Sequence, residues 1–328
     1  MCLSIDRRRF LTCLSGGAAY FALPQGISAQ EDKINKKTYT YKKVGPCEIK
    51  ADVYESPGEK PRPAVVWIHG GALIMGHRGQ VDRALLNKLL KAGYSVVSID
   101  YRLAPETKLP AILEDVEDAC KWVRDKGPEL CHIDPKRIAV MGGSAGGYLT
   151  LAAGFRVNPP PQALVSFWGY GDVAGAWYSR PDPFYSRQPP VPKEEAYQAV
   201  GQSVISESSG KNNRHRFYLY CRQQGLWPKE VAGHDPNKEP QAFDAFCPVR
   251  NISAKYPPTL LVHGTQDTDV PYEQSKMMEK ELARKGIKHE LITVPEAGHG
   301  LAGAKPAAIA DIHDRVLAFL NRHLASGE

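Results

Sequence analysis

The 328-residue chain has little cysteine (7 residues) and no apolar run approaching the ~20 residues that a membrane-spanning helix needs. Charge of one sign is also short: 42 Lys and Arg against 36 Asp and Glu leave +6, of which Arg7, Arg8 and Arg9 supply a part. No basic or acidic block follows them, so a nucleic-acid partner or a membrane-surface footprint is not expected. The 10 histidines are scattered, and no pair of them has the spacing of a metal site. Nothing resembles a phosphate-binding Walker loop, and no G-x-G-x-x-G is followed by an acidic residue on a later strand. Neither metal nor cofactor is therefore expected.

What the chain does have is alternation of strand and helix signals over most of its length, which points to one α/β domain built on a mostly parallel sheet. Thr38 to Lys43 and Glu48 to Tyr54, separated by Val44-Gly45-Pro46, read as an antiparallel hairpin at the sheet edge. Apolar strands follow at 64–68, 94–99, 137–141, 163–168, 259–263 and 290–294, with helices near 79–92 and 111–126. In the second helix Asp115, Val116, Ala119, Trp122 and Val123 recur at three- and four-residue spacing, which makes Trp122 a core residue and Asp115, like Asp134, a cap or brace. From about Gly169 to Pro258 the periodicity breaks, with many prolines and aromatics. An insertion of this kind at the active end of a sheet reads as a lid or cap.

Three turns carry the chemistry. The strand Arg137-Ile138-Ala139-Val140-Met141 runs into Gly142-Gly143-Ser144-Ala145-Gly146-Gly147, a G-x-S-x-G pattern that sets Ser144 on a sharp strand-to-helix turn with its hydroxyl exposed as a nucleophile. Ala64-Val65-Val66-Trp67-Ile68 leads into His69-Gly70-Gly71-Ala72, an HGGG-type loop with alanine in the last place. Its backbone N–H groups at Gly71 and Ala72, with that of Ala145, are the expected donors to an oxyanion. The strand ending at His263 opens Gly264-Thr265-Gln266-Asp267-Thr268-Asp269-Val270-Pro271. Asp267 is the expected orienting acid and Asp269 the reserve. Pro295-Glu296-Ala297-Gly298-His299-Gly300 then places His299 as general base, and the order Ser144, Asp267, His299 is the one this kind of triad requires. His69 is read as a brace of its loop, His263 as a structural residue at a strand end, and His289, His313 and His323 as surface groups. Trp168, Tyr170 and Tyr101, close in sequence to the elbow or the strand ends, are the candidate substrate-pocket residues.

These residues resemble serine esterases of the α/β-hydrolase superfamily over residues 38 to 324. Asp100-Tyr101-Arg102-Leu103-Ala104-Pro105-Glu106 looks like the DYRLAPE signature of hormone-sensitive-lipase-type bacterial esterases, and the elbow is close to their GDSAGG. Gly143 stands where that motif has aspartate, and no long helical cap precedes the first strands. Those departures look more like the secreted acetyl-xylan and feruloyl (BD-FAE-like) esterases, while the acid loop also looks like prolyl-oligopeptidase-type hydrolases. The resemblance implies an α/β-hydrolase fold and hydrolysis of a carboxylic ester, of a small molecule or a plant polysaccharide, through an acyl-enzyme without cofactor. A serine peptidase is the runner-up, and a non-catalytic binding protein of the same fold the remote alternative.

The first 29 residues read as a twin-arginine-type leader: Asp6-Arg7-Arg8-Arg9-Phe10-Leu11, a modestly apolar stretch to Leu23, and a small-residue exit at Ser28-Ala29. The mature domain would span 30–328, exported, with 169–258 as the insertion and no membrane span. Removal of the leader takes Cys2 and Cys13 and leaves five cysteines, enough for at most two bridges. Cys221 and Cys247, within one segment, are the expected pair. Nothing in the pattern fixes the oligomeric state.

Overall fold

The computed structural model of the protein describes residues 34–208 and 213–325, so the leader expected at 1–29 lies outside the described residues. Strands β1 (Asn35–Val44) and β2 (Cys47–Glu55) form the expected hairpin, closed through Gly45 and Pro46 with Val44 opposite Cys47. Then come β3 (Arg62–Ile68), α1 (Arg83–Lys91), β4 (Ser95–Ile99), α2 (Leu109–Cys131), β5 (Ile133–Gly143), α3 (Ala145–Arg156) and β6 (Ala163–Phe167). Among the described residues the insertion carries four short α-helices, α4 (Ala176–Ser179), α5 (Lys193–Gln198), α6 (Arg214–Gln224) and α7 (Trp227–Ala232). The chain closes with β7 (Thr259–Gly264), α8 (Glu273–Arg284), β8 (His289–Val294) and α9 (Pro306–His323).

These eight strands make one sheet in the order β1-β2-β4-β3-β5-β6-β7-β8, with β2 antiparallel to β1 and β4 and the rest parallel. The inner strands are near-continuous runs of Val, Ile, Leu and Ala because both faces are covered, the pattern a parallel sheet demands. Successive side chains go to opposite faces. Ala64, Val66 and Ile68 join α2, α3 and the insertion in one core, whereas Val65 and Trp67 join α1 and α9 in the other. The first helix begins later than the periodicity suggests, because the Asp82 carboxylate accepts the Leu85 N–H at 2.7 Å and caps it there.

The aromatics of the insertion are not a separate patch. Tyr178 stacks on Trp227 at 4.0 Å and on Trp177 at 3.6 Å, Tyr170 stacks on Tyr148 of α3 at 4.9 Å, and the whole group is continuous with the core on that face of the sheet. The expected Cys221–Cys247 bridge is not made. Both thiols are buried and free, Cys221 on α6 and Cys247 beside the Asp172 carboxylate at 3.3 Å, and the other three cysteines among the described residues are free as well. Among the described residues no helix is long and apolar enough to cross a membrane.

Candidate active site

Every candidate residue lies at the carboxyl end of the parallel strands, where open α/β sheets gather their loops. β5 ends at Gly143, α3 starts at Ala145, and Ser144 between them holds φ at 56°. That strained turn is fixed by its neighbours: the Ser144 N–H donates to Phe167 O at 2.9 Å, and the Tyr148 N–H donates to Ser144 O at 3.0 Å. It also needs α3 pressed on β3, so close that a Cβ on Gly146 would sit 2.0 Å from Ile68 O. Gly143, where lipase-type elbows carry aspartate, is covered by the Trp168 indole, whose ring atoms would lie 3.2–3.3 Å from a Cβ there.

The loop after β3 is held in an unusual shape. Gly71, Ala72 and Leu73 all have positive φ, and a Cβ on Gly71 would fall 2.0 Å from Met75 O. For Ala72 and Leu73 such a conformation costs ~1–3 kcal/mol each, so the surroundings must impose it. The Met75 and Ile74 N–H groups both donate to Gly71 O at 2.9 Å, the Trp227 indole N–H donates to Ala72 O at 2.9 Å, and Ala104 N–H donates to Leu73 O at 2.8 Å. Arg214, paired in the interior with Glu106, donates to Ile74 O at 2.5 Å. Underneath, His69 stacks on Tyr101 at 4.3 Å and its Nδ1–H donates to Gly70 O at 2.7 Å, while the Tyr101 hydroxyl donates to His69 O at 3.1 Å. Burial pushes the His69 imidazole down to about 4, against the pull of the Gly70 carbonyl, so it stays neutral. His69 is thus the brace the sequence suggested. Among the described residues the N–H groups of Gly71, Ala72 and Ala145 donate to no other protein group. They remain available to a substrate oxygen.

On the other flank His299 Nδ1 lies 2.8 Å from Asp267 Oδ2 and 3.1 Å from Oδ1. The carboxylate accepts from the Asp269 and Val270 N–H groups at 2.9 Å each, and His263 Nε2 stands 3.3 Å from Oδ2. His263 Nε2 also faces Val270 O at 3.0 Å, and since both neighbours only accept, that nitrogen carries the proton and Nδ1 accepts from the Ser275 hydroxyl at 2.7 Å. Burial by itself would raise the Asp267 carboxyl, but hydrogen bonds from His263 and His299 outweigh it and hold it well below the usual range. His299 is shifted the other way. Its burial favours the neutral ring, yet the Asp267 hydrogen bond and the nearby Asp269 charge raise it above its ordinary 6.5.

Ser144 and His299 line one cavity of about 410 Å³, with Gly71, Ala72 and Trp168 also in its wall. The Ser144 hydroxyl makes no hydrogen bond with His299, whose Nε2 instead faces Asp269 Oδ2 at 3.4 Å. Two of the three proposed pocket residues lie elsewhere. Tyr101 and Tyr170 are fully buried, the first under the loop at Gly70 and the second inside the Tyr148–Trp227 stack, because rings this large at strand ends complete the core before they reach the cavity. The cavity wall comes from Tyr185, His215 and Tyr218 of the insertion, and from Asp269. Asp269 is not the solvated bystander expected of a second loop aspartate: Tyr185, Tyr218 and Arg222 all bond its Oδ1. Only the four-residue spacing of Tyr218 and Arg222 hinted at this, by putting them on one helix face. Among the described residues no three His, Cys, Asp or Glu side chains are grouped to hold a metal ion.

Comparison with known proteins agrees with the fold. A family model described as alpha/beta hydrolase fold matches residues 65–303. The chain is 29% identical over 314 residues to a non-reducing polyketide synthase, adrD, of Penicillium rubens, an alignment that spans 81% of this chain but only 12% of that protein. It is 27% identical to Esterase LipC of Mycobacterium tuberculosis across 80% of this chain and 59% of that one. The solved structure of an alpha/beta hydrolase superfamily protein from Enterococcus faecalis superposes with a TM-score of 0.68 at 22% identity, covering 88% of this chain and 99% of that one. The chain thus belongs to the alpha/beta hydrolase fold family.

Proposed function

We propose that the protein is an exported serine carboxylesterase that works through an acyl-enzyme on Ser144, with acetyl or feruloyl esters of plant polysaccharide as its substrates. The observation that carries this reading is the convergence on one cavity of Ser144 at the positive-φ elbow, the unpaired N–H groups of Gly71 and Ala72, and a His299 ring held by Asp267, with the unpaired N–H of Ala145 directly after the serine. In acylation His299 Nε2 takes the Ser144 proton as Oγ bonds to the ester carbon. The former carbonyl oxygen gains negative charge facing the three N–H groups, and Nε2 then gives the proton to the departing alcohol. Water repeats the sequence on the acyl-enzyme and releases the acid. The resting ring must swing its Nε2 from Asp269 to Ser144, a tightening that often waits for substrate. Export rests on the twin-arginine pattern at Arg7 to Phe10.

A panel of 4-nitrophenyl acetate, methyl ferulate, acetylated xylan, a long-chain acyl ester and a chromogenic dipeptide amide tests the reading. Turnover is expected on the acetyl and feruloyl esters, and cleavage of the amide in their place would assign a peptidase. Because His299 is active as the neutral ring and is raised above 6.5, kcat/KM should climb with pH through a midpoint above 6.5. An acid limb centred at or below 6.5 would contradict the ion-pair geometry at Asp267 and Asp269.

A further inference from the structure

One carboxylate in the cavity has no part in the triad. Asp269 Oδ1 is fully occupied, by Tyr185 Oη at 2.9 Å, by Arg222 Nη1 at 2.8 Å and by Tyr218 Oη. Arg222 is itself buried, paired with Asp182 and boxed by the rings of Tyr178 and Tyr185 with its centre 4.8 and 4.7 Å from theirs. The cage therefore pins Asp269 in one orientation and leaves a single oxygen, Oδ2, facing the cavity without a hydrogen bond, 3.4 Å from His299 Nε2. Its place matters because the leaving alcohol must come within hydrogen-bond reach of that same nitrogen to collect its proton. Oδ2 therefore lines the same part of the cavity as Nε2, the atom that hands the proton to the departing alcohol once the ring has turned from Asp269 to Ser144, which sets the carboxylate near the alcohol portion of the ester.

We propose that Asp269 is a specificity residue that accepts a hydrogen bond from a free hydroxyl on the carbon next to the ester-bearing carbon of the alcohol, so that the preferred substrates are partially acylated sugars or other polyols. This rests on the esterase reading above and narrows it. Oδ2 is an acceptor without a donor, which a hydroxyl supplies, and an anionic alcohol would meet a like charge because Arg222 is shared between Asp182 and Asp269 and does not neutralise both. Trp168, Tyr185 and Tyr218 line the same cavity and give a sugar ring apolar surface to rest on.

The test compares 2-hydroxyethyl acetate with n-propyl acetate, which has a methyl group where the first has the hydroxyl, in the wild type and in Asp269→Asn and Asp269→Glu. Wild-type kcat/KM should favour the hydroxy ester by about tenfold or more, the range of a hydrogen bond to a charged acceptor, and Asp269→Asn should bring the ratio towards one. A wild-type ratio near one overturns the inference whatever the variants do, while the esterase reading stands because both esters are still cleaved. Equal losses on both esters in Asp269→Asn, with the ratio kept, also overturn it and assign Asp269 to the electrostatics of His299. If neither ester is cleaved by any form, both readings fail.

Discussion

Ser144→Ala should lower kcat on 4-nitrophenyl acetate by more than about a thousandfold, as removal of a nucleophile from a triad does elsewhere. The fold should survive. The lost hydroxyl makes no hydrogen bond in the structure, and the elbow is held by backbone contacts, from Ser144 N–H to Phe167 O and from Tyr148 N–H to Ser144 O, which alanine keeps. Circular dichroism and the melting temperature, measured beside the rate, separate loss of chemistry from loss of structure. A folded variant retaining a few per cent of wild-type turnover would show that another group attacks the ester.

Asp267→Asn should cost about ten-thousandfold, because an amide in that place offers the imidazole the wrong partner and releases the tautomer the base requires. Its carboxylate gathers two backbone N–H groups and two histidines, so an asparagine NH2 would also confront donors, of which only His263 has a second acceptor, Val270 O at 3.0 Å. Asp269→Asn should cost no more than about tenfold on the same ester. The pair settles the assignment of the orienting acid: if Asp269→Asn were the more damaging on 4-nitrophenyl acetate, Asp267 would be the bystander.

The strands and the three site-bearing turns were legible because each rests on local pattern. Apolar runs of β-branched residues specify the buried strands, and glycines at Gly142, Gly146 and Gly71 mark backbone approaches that no side chain permits. The pocket was not legible. Tyr101 and Tyr170 sit beside the right motifs but are drawn into the core, while the residues that reach the cavity, Tyr185, His215 and Tyr218, come from the aperiodic insertion, where sequence neighbourhood says nothing of direction. Arg214 and Trp227 show a further limit. They brace the loop at Ala72 from more than a hundred residues away, so 169–258 supports the site as well as roofing it, and a linker in its place would remove that support together with the cavity wall. The Asp100 to Glu106 signature has the same character. Asp100 pairs with Arg78, Arg102 with Asp115 and Glu106 with Arg214, all inside the protein, so the motif marks the scaffold beneath the oxyanion loop rather than a group that meets substrate.

The claim on which the rest depends is that Ser144, activated by His299, is the atom that bonds to the acyl carbon. Incubating the full chain with a fluorophosphonate, digesting it and locating the adduct by mass spectrometry tests this most directly. The account predicts a single adduct on Ser144, absent or greatly slowed in His299→Ala and suppressed by a competing acetyl ester. An adduct on a different residue, or equal labelling of Ser144 with and without His299, would contradict it.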